Sequence, residues 1–270
     1  MGLIVSAASL PGGEPPGQDR WGTTSRSVVV LDGATSYSPE APPADEYVDV
    51  LLEALLRRVD DGDLREQLRA ALAETVERLG LTPGAAPSST VLILRAGDEL
   101  VEVAALGDST AVIGLQDDTA ARVSDDRLDD IAVERRVAYR RALEHGEGYG
   151  EAHRTRLREL QRSERPLRNR VGGYWIAEAE PAAAYELVIR TFPRSTVRWA
   201  VLTSDGVQKH LDRLDAWSSA ASLGDGGLGR LVRDAQTWET EADPDGRRLP
   251  RSKRHDDKTI VVWRDGSTGE

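Results

Sequence analysis

Four aliphatic residues in a row, Val28, Val29, Val30 and Leu31, run straight into Asp32-Gly33. Successive side chains of a strand point to opposite faces, so this run cannot lie with one face in water. The chain must bury it on both sides. Its last side chain is a carboxylate delivered to the rim of the core, followed by a glycine that lets backbone approach a neighbour closely. By itself Asp-Gly is also one of the strongest hairpin signals, so chemistry here needs the pattern to recur.

It recurs. Ser89–Arg95 and Leu100–Leu106 read as a hairpin turning at Ala96-Gly97-Asp98, and the second strand ends in Gly107-Asp108 before a short strand at 111–115. Residues 184–192 and 197–203 read as strands, the latter entering Ser204-Asp205-Gly206. The last strand, 259–263, follows His255-Asp256-Asp257. Leu3–Val5 open a first strand, and that reading is preferred to the myristoylation pattern that Gly2 and Ser6 match. A Pro/Gly-rich loop over 11–20 carries Gln18 and Asp19.

Two helices fill 45–80. Val48, Leu51, Leu52, Leu55, Leu56 and Val59 form one apolar stripe, and Leu64, Leu68, Leu72, Val76 and Leu79 a second, split by Asp60–Asp63 and stopped at Gly80. Residues 125–165 are helical and heavily charged, broken at 146–150. The stretch 168–176 reads equally as a loop over a site or a packed turn. A short helix carries Lys209 and His210, and an amphipathic segment follows at 226–240.

Strands and helices are segregated, which predicts an α+β fold with mainly antiparallel sheets in one domain over 1–270. The chain has 46 acidic against 35 basic residues and a formal charge of −11, which argues against general nucleic-acid binding. No apolar stretch is long enough for a membrane span. The absence of cysteine excludes disulfides, thiolate metal sites and a cysteine nucleophile, and makes a reducing cytoplasm the natural location.

Asp32, Asp108, Asp205 and Asp256-Asp257 thus stand at the ends of apolar strands, with Asp19 just before the first. Gly97-Asp98 and Asp265-Gly266 are similar pairs assigned to ordinary turns. Carboxylates gathered at a buried edge repel one another and raise each other's pKa. All-oxygen donors suit hard Mg²⁺ or Mn²⁺ rather than zinc.

In this order the motifs resemble those of the metal-dependent Ser/Thr protein phosphatases of type 2C (PPM-type): Val30-Leu-Asp-Gly-Ala34, Ala105-Leu-Gly-Asp-Ser109, Leu202-Thr-Ser-Asp-Gly206 and Asp256-Asp-Lys-Thr259. The resemblance implies two antiparallel sheets packed as a sandwich between helix layers, αββα, with a charged flap-like insertion at about 125–176. It implies a phosphoserine/phosphothreonine protein phosphatase acting on phosphorylated proteins through a water that bridges two metals, with no covalent intermediate. Asp32 would bridge both ions and the Gly33 carbonyl serve one. Asp205 and Asp256 would serve the other, Asp19 hold a metal-bound water, and Asp108 match a third, weaker site. Asp257 would stand behind the ligands.

The chain departs from the family at several positions. Glu14 stands where eukaryotic members carry a phosphate-gripping arginine, a role for which Arg20 is the substitute considered. Lys209 stands where many members have an aspartate for the third metal, Gln18 where glutamate is common, and Ala34 where some have histidine. His210 and His255 are either proton donors to the leaving oxygen or structural histidines. The alternatives are a catalytically weak relative acting as a metal-binding regulator or phosphoprotein-binding module, a hydrolase of small phosphoesters, and a β-rich domain whose Asp-Gly pairs are all turns.

Overall fold

The computed structural model describes residues 3–266; Gly2, and with it the myristoylation pattern, lies outside them. Its strands are β1 (Leu3–Leu10), β2 (Asp19–Thr23), β3 (Ser27–Ala34), β4 (Ser88–Ala96), β5 (Leu100–Leu106), β6 (Thr110–Leu115), β7 (Ala120–Val123), β8 (Val188–Pro193), β9 (Val197–Thr203) and β10 (Lys258–Asp265). The helices are α1 (Ala44–Leu56), α2 (Leu64–Leu79), α3 (Val133–Glu144), α4 (Glu151–Glu164), α5 (Asp205–Leu214), α6 (Trp217–Ala221) and α7 (Asp225–Glu241).

The strands form two five-stranded sheets, ordered β1-β10-β9-β6-β7 and β2-β3-β4-β5-β8, and every neighbouring pair is antiparallel. The apolar run of β3 explains the layering. Val28 and Val30 face the other sheet, packing with Leu92, Leu94, Leu202, Val261 and Trp263. Val29 and Leu31 face outward, against Tyr47, Val48, Leu51 and Leu55 of α1 and Leu68 and Leu72 of α2. On the far side Val201, Ile260 and Val262 pack under Val207 and Leu211 of α5, Trp217 of α6, and Leu228 and Val232 of α7. Each central strand is therefore buried on both faces, and the arrangement is the αββα sandwich that the motifs imply.

Local sequence sets the boundaries. Asp63 caps α2, its side chain accepting from the Arg65 and Glu66 amides, and Gly80 ends it. The charged stretch from 125 begins with a 3-10 turn at Asp126–Asp130 and then forms the α3–α4 hairpin, broken at 146–150 as read from the sequence. That hairpin has its own small core of Tyr139, Leu143 and Leu160. The Tyr139 hydroxyl donates to the Arg251 carbonyl (2.9 Å), tying the hairpin to the segment that leads into Asp256.

Two expectations are corrected. Asp19 is not in a loop: it is the first residue of β2, whose short, charged, glycine-bearing stretch carries no apolar alternation. Residues 184–186 are not strand, because Pro181 opens a 3-10 turn that packs Ala183 and Ala184 into the core beneath α1 and α2; β8 begins only at Val188. The edge strand β7 and the short α6 were not anticipated.

Candidate metal centre at the end of the sandwich

Antiparallel pairing brings distant residues to one end of the sandwich. Asp19 and Asp32 are register partners across β2 and β3, and Asp32 pairs on its other side with Thr90. Thr110 and Ile260 both pair with Thr203, so β6 and β10 start where β9 ends. Asp108 precedes β6, Asp205 follows β9 as the first residue of α5, and Asp256 precedes β10.

Backbone geometry holds these positions. A Cβ on Gly33 would lie 2.6 Å from the Gln18 carbonyl oxygen, and one on Gly206 only 2.1 Å from the Asp257 carbonyl oxygen. Both glycines are there because neighbouring backbone occupies the space a side chain would need. The Gly107 amide donates to Asp125 (3.1 Å), a buried carboxylate that also holds Arg127, which fixes the turn ahead of Asp108. Asp257 accepts from the Gly12 amide (2.7 Å) and the Gln18 amide, clamping the 11–18 loop beside Asp19.

The electrostatics follow from crowding. Burial, then the charges of Asp19, Asp205, Asp256 and Asp108, push the Asp32 carboxyl well above the usual range. Asp19 is raised to about 7, mainly by burial, with the Ser204 hydrogen bond opposing and the charges of Asp257 and Asp256 adding. Its Oδ2 accepts from the Ser204 hydroxyl (2.7 Å), while its Oδ1 is buried with no hydrogen-bond partner among the described residues. Asp108 is raised to about 6 by the protein around it and by Asp205, although its side chain still faces open space.

Asp205 differs. Burial raises it, but the Lys209 ammonium, 2.5 Å from Oδ2, outweighs that and holds the carboxylate ionised. Asp256 accepts from Lys253 (3.0 Å) and Ser252 (3.3 Å). The aspartates keep Lys253 charged, at about 12 despite its desolvation.

Among the described residues no three His, Asp or Glu side chains already form a metal cage. The donor set nonetheless fits a hard divalent ion. It is all oxygen, and one buried carboxylate oxygen lacks a partner. The carboxylates Asp19, Asp32, Asp108, Asp205, Asp256 and Asp257 outnumber the ammonium groups near them among the described residues, Lys209, Lys253 and Lys258.

The remaining sequence candidates lie elsewhere or are engaged. The Arg20 guanidinium binds Asp49 (2.5 Å) and the carbonyls of Gly17 and Asp19, so it braces the loop. His210 is buried, with Nε2 2.9 Å from Glu239, and His255 Nδ1 lies 2.9 Å from the other Glu239 oxygen. Lys258, fully buried, donates to Glu239 (2.9 Å) and to the Asp256 carbonyl (3.0 Å). Burial opposes ionisation of Glu239, but these hydrogen bonds and the Lys258 charge bring it down to about 2.

Sequence reasoning missed Glu239, Ser204 and Lys253. Glu239 falls on the buried stripe of α7 with Leu228, Val232 and Ala235, so its helical spacing was a usable signal. Beside the aspartates a cavity of about 520 Å³ opens between the α3–α4 hairpin and the sandwich. Asp108, Asp205 and Lys209 form one wall and Arg136, Tyr139 and Glu164 the other.

A protein-family model described as protein phosphatase 2C matches residues 12–235. Among solved structures, the chain is similar to the Mycobacterium tuberculosis serine/threonine phosphatase PstP/Ppp, at 17% identity over 98% of this chain and 99% of that one, with a TM-score of 0.58. It is similar to the serine/threonine phosphatase Stp1 of Staphylococcus aureus, at 11% identity over 98% and 95%, with a TM-score of 0.61. A third is the catalytic domain of the serine/threonine phosphatase PstP in complex with 2 manganese ions, at 16% identity over 97% of each chain and a TM-score of 0.52. At these identities the likeness is one of fold. No curated protein matches the chain at a significant level.

Proposed function

The chain belongs to the protein phosphatase 2C family, and from that premise we propose that it is a Mg²⁺- or Mn²⁺-dependent phosphoserine/phosphothreonine protein phosphatase. The observation that carries this reading is the convergence of Asp19, Asp32, Asp108, Asp205 and Asp256 on one end of the sandwich, where burial and neighbouring carboxylates raise the proton affinity of Asp19, Asp32 and Asp108. Asp32, the Gly33 carbonyl, Asp205 and Asp256 would hold the ions. Divalent ions bound there would supply Lewis-acid chemistry, acidifying water and neutralising phosphoryl charge.

The chain's own groups do the positioning. Asp19 is fixed through Oδ2 by Ser204, whose oxygen in turn accepts from the Thr259 amide (3.0 Å). That leaves Oδ1 as the oxygen that can orient an attacking water. Asp257 and Arg20 hold the 11–20 segment against the site. The cavity walled by the α3–α4 hairpin gives the peptide around the phosphorylated residue room to lie beside Asp108 and Asp205.

A second reading, a metal-binding regulator with little turnover, is favoured by one observation: Arg20, the phosphate ligand considered from the sequence, is engaged with Asp49. Steady-state hydrolysis separates the two. With Mn²⁺ or Mg²⁺ present, the phosphatase reading expects turnover of phosphothreonine and phosphoserine peptides, less of a phosphotyrosine peptide, and none in EDTA. Mn²⁺ binding without turnover would leave the regulator.

A further inference from the structure

Asp205 and Lys209 lie one helical turn apart on α5, and their side chains meet at 2.5 Å, the ammonium on Oδ2. Both line the cavity together with Asp108. The pair is partly open to water, with Lys209 35% and Asp205 20% exposed, so it adds little to stability. Its importance is positional. The ammonium stands in the field of Asp205, Asp256 and Asp108, at the side of the site where Asp205 and Asp108 face the cavity. Another ion there would have to approach a fixed positive charge at contact distance and compete with it for Asp205.

We propose that Lys209 is the built-in cation of the Asp108–Asp205 side of the site, so that no divalent ion binds there while the ammonium is present. This rests on the metal-centre reading above. The remaining carboxylates, Asp19, Asp32 and Asp256 with the far oxygen of Asp205, are left for divalent ions. The centre therefore takes up one ion fewer than its full set of aspartates could hold. The consequence is a site whose cation on this side is independent of metal concentration, because it is part of the chain.

The test is Mn²⁺ stoichiometry of the full chain, measured by equilibrium dialysis with metal analysis. It compares wild type, Lys209→Gln, Lys209→Arg, Lys209→Asp and Asp32→Asn, each shown to be folded by circular dichroism. The expected result is one more Mn²⁺ per chain in Lys209→Gln than in wild type and no gain in Lys209→Arg. The gained ion should be lost again when Asp108→Asn is added. Lys209→Asp should gain the same ion more tightly.

A gain in Lys209→Asp alone would mean that the new carboxylate made the site, which overturns exclusion by the ammonium. Equal stoichiometry in wild type and Lys209→Gln also overturns it, while leaving the metal centre standing if Asp32→Asn loses the wild-type ions. No Mn²⁺ bound by wild type or by any variant sinks the metal-centre reading and this inference with it.

Discussion

Asp19 and Asp32 stand directly opposite each other across the β2–β3 ladder, two carboxylates in a register position where like charges repel. The fold gains nothing from this pairing without a cation: burial first, and neighbouring carboxylates after it, raise the proton affinity of both groups. Substituting Asp32→Asn relieves that repulsion while removing a central donor. In EDTA the variant is expected to melt a few degrees above wild type, about the effect of 1 kcal/mol in a chain of this size. In Mn²⁺ the order should reverse, because only wild type gains the stabilisation that comes with binding. Thermal melts in both conditions check it; a variant less stable than wild type in EDTA would show that Asp32 is not under repulsive strain.

The pH dependence follows from Asp19. Its folded-state pKa is raised from 3.8 to about 7, so between those values the folded protein keeps a proton that the unfolded chain has released. Stability of the metal-free protein must then fall as pH rises through that window. His153, whose pKa burial holds below its ordinary value, works the other way below about 6.5. The decisive comparison is therefore with Asp19→Asn, in which the fall between pH 5 and pH 8 should shrink. An unchanged slope would mean that Asp19 ionises normally in the folded state.

Glu239 gathers Lys258, His210 and His255 around one buried carboxylate. Removing its charge leaves the fully buried Lys258 ammonium without its carboxylate partner. Breaking a buried ion pair from one side costs roughly 3–5 kcal/mol, and Glu239→Gln is expected to lose that much in urea unfolding. The same change should weaken Mn²⁺ binding, because Lys258 helps position the backbone of Asp256. A loss below about 1 kcal/mol would mean that Lys258 is satisfied without Glu239.

Gly206 is the point of closest backbone approach in the site. A methyl group there would sit 2.1 Å from the Asp257 carbonyl oxygen, so the Asp205–Gly206 turn and the Asp256–Asp257 segment would have to separate. Gly206→Ala should cost about 1–3 kcal/mol and weaken metal binding more than Asp257→Asn does. Unfolding curves and Mn²⁺ titrations of both variants provide the comparison.

Much of this was legible in the chain. The doubly buried run at 28–31 implied the layers, and the carboxylates at 32, 108, 205 and 256 stood out because each ends or begins an apolar strand. Asp19 was read in a loop because Asp19–Thr23 mixes charge, tryptophan and glycine; only pairing with β3 makes it a strand. Lys253 lies in a polar connection with no periodicity, so nothing local marked it, and Ser204, though inside the Ser204-Asp205-Gly206 motif, gave no sign of its bond to Asp19 before the fold brought the two together. Arg20 looked available in sequence because its partner Asp49 comes from α1, a contact that only tertiary packing creates.

The central claim is that the converging aspartates form a metal centre that hydrolyses phosphothreonine. The most direct measurement is turnover of a phosphothreonine peptide by wild type, Asp32→Asn and Asp205→Asn, each with Mn²⁺ and then with EDTA. The expected result is wild-type turnover that EDTA abolishes and added Mn²⁺ restores, with both variants inactive though folded. Turnover that survives EDTA, or that persists in Asp32→Asn, would contradict it.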